Sequence, residues 1–185
     1  MYGPPARIGA RHPELRLGLL LGVAALMADW ASKSWALAAV ASHPIEVGNR
    51  VLLGVVRNDA LAFSSMGGLP MESVLSLRMT CVVVLAVLAV RYAAESRRLA
   101  CAFALLIAGG IGNVADLFFR GGAVVDFIGV GPFPVTAEAE VALVFNLADV
   151  WIKAGVVLAF PLIRRAAQRA QRASLELERR ILPAR

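Results

Sequence analysis

Residues 17–40 read LGLLLGVAALMADWASKSWALAAV, an apolar run broken only by Asp29, Ser32, Lys33 and Ser34. Wound as a helix at 1.5 Å per residue, it spans about 36 Å, enough to cross roughly 30 Å of hydrocarbon. Three further runs have the same character, at about 71–94, 99 to about 116, and about 141–163. The composition points the same way. Of the 185 residues 59% are apolar and 17% charged, against about 25% charged in an ordinary soluble domain, and the mean hydropathy is +0.71. These observations exclude an ordinary soluble globule and predict an all-α integral membrane protein with four transmembrane helices. Residues 1–163 are expected to form a single transmembrane domain and residues 164–185 a basic cytoplasmic tail. Arg7, Arg11 and Arg16 precede the first run much as charges precede a secretory leader. That run is too long for a leader's apolar region and holds two charges, so it reads as a retained helix.

The net charge of +6 is carried by arginine, with Lys33 and Lys153 the only two lysines. Arg7, Arg11 and Arg16, then Arg91, Arg97 and Arg98, then Arg164, Arg165, Arg169, Arg172, Arg179, Arg180 and Arg185 form three clusters outside or between the apolar runs. The connections between clusters hold Arg50, Arg57 and Arg120. This alternation reads as a topology signal and not as a nucleic-acid surface. It places both termini in the cytoplasm and the loops at about 41–70 and 117–140 outside. Residues 46–56 (EVGNRVLLGVV) and 124–130 have the β-branched content of short strands, so a small extracytoplasmic β element is expected. The basic tail is expected to meet anionic membrane lipid. Cys81 and Cys101 both sit in apolar stretches, which predicts buried thiols and gives no support for a disulfide framework or a zinc site.

Four of the five aspartates fall where lipid should exclude them. Asp29 and Lys33, four apart, share a helix face and can pair. Asn113 and Asp116 lie at the end of the third run. Asn146, Asp149 and Lys153 share one face of the fourth, and Asp126 sits in an apolar stretch of the second outward loop. The predicted topology gathers Asn113, Asp116, Asp126, Asn146 and Asp149 at the outer boundary. Two carboxylates in a low-dielectric site do not readily both ionise. One keeps a proton while the other acts as base toward water, the arrangement of aspartic proteases. Which of the two holds the proton is open at this point. No metal or other cofactor is called for, since His12 and His43 lie away from the acids. A proton path through the bundle is the competing chemistry, but the acids gather at one boundary instead of tracing a route.

In order along the chain stand Asp29-x-x-x-Lys33, then Asn58 with Ala62-Phe63-Ser64, Gly112-Asn113-x-x-Asp116, Val124-Val125-Asp126-Phe127, and Phe145-Asn146-x-Ala148-Asp149. On a four-helix topology this set resembles the lipoprotein signal peptidases, the signal peptidase II family of bacterial inner membranes. The resemblance implies an aspartic endopeptidase with Asp126 and Asp149 as the catalytic pair. It implies that Asn113, Asp116 and Asn146 support the pair, that Asn58 helps hold substrate, and that Asp29 and Lys33 brace the site. The implied substrate is a prolipoprotein whose cysteine already carries diacylglycerol, cut just before that cysteine on the extracytoplasmic side. A monomer is expected. A noncatalytic relative that binds lipopeptides or partner helices in the membrane is the alternative. Three positions depart from the pattern: Leu117 stands where the family carries arginine, with Arg120 three residues on; Ala60 replaces a glycine; and Lys153 is additional, one turn from Asp149 and placed to stabilise its ionised form.

Overall fold

The computed structural model describes residues 13–48, 50–58, 71–131 and 143–181; Ala60, Ala62, Phe63 and Ser64 lie outside that range. Along the chain come α1 (Pro13–Ala39), β1 (Ile45–Val47), β2 (Val51–Asn58), α2 (Met71–Tyr92) and a 3₁₀ turn (Ala93–Glu95). Then follow α3 (Arg97–Phe119), β3 (Val124–Val130), β4 (Leu143–Phe145) and α4 (Leu147–Ile181). Among the described residues, three stretches are long and apolar enough to cross a membrane: α1, α2 with its 3₁₀ extension, and α3. The α4 helix has the length, but its first eighteen residues carry Asp149, Lys153 and Arg164. It continues without a break from the apolar stretch into the arginine-rich tail.

The helices pack around α3, which meets α4 and α1 most extensively and α2 on another side. Small residues set the closeness of these seams. A Cβ on Gly109 would come within 2.5 Å of the Ala148 carbonyl oxygen, and one on Gly155 within 2.9 Å of the Ala102 oxygen. Such contacts stand in for a hydrophobic driving force that is absent between helices in lipid. Ala25, Leu105 and Ala108 form the centre of the bundle, covered by Leu21, Leu26, Trp151 and Leu158. The Trp151 indole N–H donates to the Ala25 carbonyl at 3.1 Å and ties α4 to α1.

At one end of the bundle β1–β4 form an antiparallel sheet in sequential order. The two segments expected to be strands are strands. The third pairing was hidden: residues 143–145 were expected to begin the fourth helix, but Leu-Val-Phe pairs with β3 and the helix starts at Leu147. The sheet packs on the end of α1 through Phe127, Ala36 and Val40. Gly121 and Gly122, at φ +76° and +82°, turn the chain from α3 into β3 in a conformation that costs other residues about 1 kcal/mol or more. Cys81 is exposed and Cys101 half-buried, which corrects the expectation of two buried thiols. In a membrane helix an apolar stretch faces lipid as readily as it faces protein.

Candidate functional site

The acids predicted from sequence meet where the sheet joins the ends of α1, α3 and α4. Their hub is Lys33, fully buried among apolar helices. Its ammonium lies 2.9 Å from Asp29 Oδ2 and 2.9 Å from Asp116 Oδ2, and donates to Asn113 Oδ1 at 3.0 Å. A lysine has three N–H donors, and all three are used. The partners pass the constraint on to α4, twice, and to β3. Asp29 Oδ1 accepts the Ala148 backbone N–H at 2.8 Å, capping from α1 one of the four orphan donors that open α4. Asp116 Oδ2 accepts the Val125 N–H at 3.1 Å, fixing β3 one residue before Asp126. Asn113, its carbonyl turned toward Lys33, donates from Nδ2 to Asp149 Oδ1 at 3.0 Å. Gly112 makes room: a Cβ there would sit 2.5 Å from Asp29 Oδ2.

Asn146 joins the two candidate catalytic acids. It caps α4, its Oδ1 accepting the Asp149 N–H at 3.1 Å while Asp149 Oδ2 accepts the Asn146 N–H at 3.3 Å. This reciprocal pair is a capping box, built here from Asn and Asp. The same amide donates from Nδ2 to Asp126 Oδ1 at 2.6 Å and to Asn113 Oδ1 at 3.1 Å. One side chain therefore touches Asp126 and the Asp149 backbone and shares Asn113 with the Asp149 carboxylate. Asn146 is fully buried and Asp126 is 4% exposed, whereas Asp149 is partly open.

Asn58 reaches Asp126 because of a bulge. Leu53 stands opposite Ile128, but past the irregularity Val56 stands opposite Asp126 and Asn58 opposite Val124. A shift of one residue moves side chains to the other face of a strand. Here it sets Asn58 on the face of Asp126, diagonally across the ladder, with Nδ2 3.1 Å from Asp126 Oδ2. Burial pushes the Asp126 carboxyl above its ordinary value, and the neighbouring Asp149 charge adds to this. The amides of Asn58 and Asn146 pull the other way without cancelling it.

All eight residues singled out from sequence thus share one connected network. Arg120 is a further member whose part the sequence left undefined. Its Nη1 lies 3.4 Å from Asp116 Oδ1, and its Nη2 donates to the Trp30 carbonyl at 3.0 Å and to Ser34 Oγ at 2.9 Å. The guanidinium also lies over the Trp30 ring, 4.3 Å from its centroid. Lys33 and Arg120 then match Asp29 and Asp116 in charge, which is how a buried ionic cluster is tolerated. Lys153 takes a different place from the one expected. It is exposed, with Nζ 5.3 Å from the Phe145 ring centroid, and it makes no ion pair with Asp149.

The signal peptidase (SPase) II family model matches residues 21–164, a span that contains every member of this network. The chain belongs to the signal peptidase II family. Among its relatives, the lipoprotein signal peptidase of Nitrobacter hamburgensis is 36% identical over 157 residues, covering 77% of this chain and 88% of that protein. The lipoprotein signal peptidase of Xylella fastidiosa strain M12 is 35% identical over 156 residues, covering 79% and 87%. A bacterial membrane enzyme solved by the in meso method at 1.9 Å resolution shares the fold, with TM-score 0.66 at 24% identity over 79% of this chain and 91% of that one. As a signal peptidase II the chain is a bacterial membrane protease of lipoprotein processing.

Proposed function

We propose that this signal peptidase II is an aspartic endopeptidase that removes signal peptides from diacylglyceryl-modified prolipoproteins, with Asp126 and Asp149 as its catalytic dyad. The observation that carries the reading is Asn146, whose single side chain ties both acids into one network at the rim of an apolar bundle. Asp126, the more deeply buried acid with the raised carboxyl pKa, holds the shared proton. Asp149 is the ionised partner. It lies in the first turn of α4, where backbone N–H groups and the helix dipole favour a negative charge, and it accepts from Asn113 and from the Asn146 N–H.

Asp149 takes a proton from water as the water oxygen attacks the scissile carbonyl. Asp126 donates its proton to the carbonyl oxygen, giving a neutral tetrahedral diol. Collapse breaks the C–N bond, returns a proton to Asp126 and passes the other to the departing amine. Asn146 and Asn113 keep both acids in register through this exchange. Asn58 Oδ1 accepts no bond from the described residues, and a substrate backbone N–H is the donor we assign to it.

The cut falls just before the lipid-modified cysteine. A site where a polar cluster caps a membrane bundle suits a residue held at the headgroup level by its acyl chains. In this reading α4 is a fourth crossing, with Leu147–Ile181 leaving the membrane near Arg164. Both termini are cytoplasmic, the dyad faces the extracytoplasmic side, and the protein works as a monomer with no cofactor. The basic clusters on one side support that orientation. The test is to incubate purified protein in detergent with a synthetic prolipoprotein, with and without diacylglycerol on its cysteine, and to weigh the products. A single cut leaving the modified cysteine at the new N-terminus, with the unmodified peptide left intact, is expected. An intact modified peptide, or a cut elsewhere, overturns the proposal and favours a noncatalytic lipopeptide binder.

A further inference from the structure

Arg78 lies inside α2 between Leu77 and Met79, and it takes no part in the network around Lys33. Its Nη1 is buried and lacks a hydrogen-bond partner. The residue as a whole is half-buried; a buried N–H of a charged group with no acceptor is costly, and an intramembrane cation is by default a sign of a binding function. The residues one turn to either side fix the direction in which Arg78 looks. Val74 is buried, and Val82 Cγ2 lies 2.8 Å from where a Cβ on Gly110 would be. Positions 74, 78 and 82 form one stripe of a helix, so Arg78 faces α3. From Val82 to Arg78 the helix climbs about 6 Å toward the sheet end, and from Gly110 to Asn113 the antiparallel α3 climbs about 4.5 Å. Arg78 therefore stands at the height of Asn113, the residue that holds Asp149.

We propose that Arg78 is a substrate-binding residue whose guanidinium donates to an ester carbonyl of the diacylglyceryl group on the substrate's cysteine. The acceptor has to arrive at the level of the cleavage chemistry and enter between apolar walls. Val74 and Val82 share the helix stripe of Arg78, Val114 is buried one turn above Gly110 on α3, and Leu77, Val83 and Val84 are exposed on α2. An ester carbonyl at the head of two hydrocarbon chains has this mixed character, whereas a hydrated phosphate does not. The contact would let the enzyme tell a lipid-modified chain from an unmodified one. This inference rests on the peptidase reading given above.

The experiment compares wild type, Arg78→Met and Arg78→Lys on two synthetic prolipoprotein peptides, one with ester-linked and one with ether-linked chains on the cysteine glycerol. Thermal unfolding in detergent checks that each variant is folded. For wild type, the ether peptide is expected to show a KM about tenfold higher at similar kcat, the worth of one hydrogen bond from a charged donor. Arg78→Met raises the ester KM by a similar factor and removes the difference between the two lipids, and Arg78→Lys restores part of it. Equal handling of both lipids by wild type overturns the proposal. So does a KM increase in Arg78→Met that is the same for both lipids, or one that follows the content of anionic phospholipid in the assay. Wild type cleaving the ester peptide upholds the peptidase reading whatever Arg78 does; wild type cleaving neither overturns both.

Discussion

The two lysines of this chain both stand in mainly apolar stretches of helix and differ in almost every other respect. Lys33 is fully buried in the middle of the bundle, with three oxygen partners on two helices. Lys153 is exposed on α4, with its ammonium 5.3 Å from the Phe145 ring centroid and, among the described residues, no carboxylate within ion-pairing distance. The first has exchanged water for a complete set of protein acceptors; the second has kept its charge at the surface. A charge in an apolar helix is therefore not one kind of feature. What it contributes depends on how many of its donors the protein fills.

The largest expected effect is at Lys33. Lys33→Met removes the cation between Asp29 and Asp116 and leaves two buried carboxylates short of a partner, a loss of about 3–5 kcal/mol. Thermal unfolding in detergent should show a protein that is strongly destabilised or that does not fold. Lys153→Met should unfold within about 0.5 kcal/mol of wild type. If the two variants melted alike, the distinction between the lysines would be lost.

Arg120→Met comes next. It gives up bonds to the Trp30 carbonyl and Ser34, but Lys33 still faces Asp116. A loss of about 2–3 kcal/mol is expected, smaller than at Lys33 and larger than at Lys153. Asn146 separates stability from chemistry. Asn146→Ser keeps a good helix cap but gives up the buried bonds to Asp126 and Asn113, so a loss of about 1–2 kcal/mol is expected, with the protein still folded. The shorter side chain gives up the bond to Asp126, and the cleavage rate should fall by about 100-fold. A serine variant with normal activity would reduce Asn146 to a cap.

The smallest effect is a shift of the pH profile. Burial raises the Asp126 pKa, so its proton persists to higher pH than on a free carboxyl. Activity should fall as pH rises through that raised value, because the alkaline form has both acids ionised. The Asn58 amide lowers the Asp126 pKa by favouring the charged form. Asn58→Ala should therefore move the alkaline limb to higher pH, on top of any change in KM. A shift to lower pH would contradict the assignment of the proton to Asp126.

The polar cluster was legible in the sequence because each member stands out against an apolar background. Asp29, Lys33, Asn113, Asp116, Asn146 and Asp149 sit at helical spacings that put them on shared faces, and the topology brings those faces to one end. Strand β4 was hidden because Leu143–Phe145 is as apolar as a membrane helix, and only the β3 backbone reveals it as a strand. The bulge that turns Asn58 toward Asp126 leaves no mark in composition. Arg120 was visible as a residue, but its bonds reach back to Trp30 and Ser34 on α1, a distance no spacing rule spans. Lys153 misled because helical spacing from Asp149 does not say which way a long flexible side chain turns. The two thiols misled for a related reason, since lipid and protein core draw the same residues.

The most direct test of the account is the cleavage rate of a diacylglyceryl-modified prolipoprotein by wild type, Asp126→Asn and Asp149→Asn, each checked for folding by thermal unfolding in detergent. Both substitutions nearly keep the shape of the side chain and remove its acid–base function. The account predicts that wild type cuts before the modified cysteine and that each variant, still folded, loses at least about 100-fold in rate. A folded Asp126→Asn or Asp149→Asn protein that cuts at the wild-type rate would contradict it.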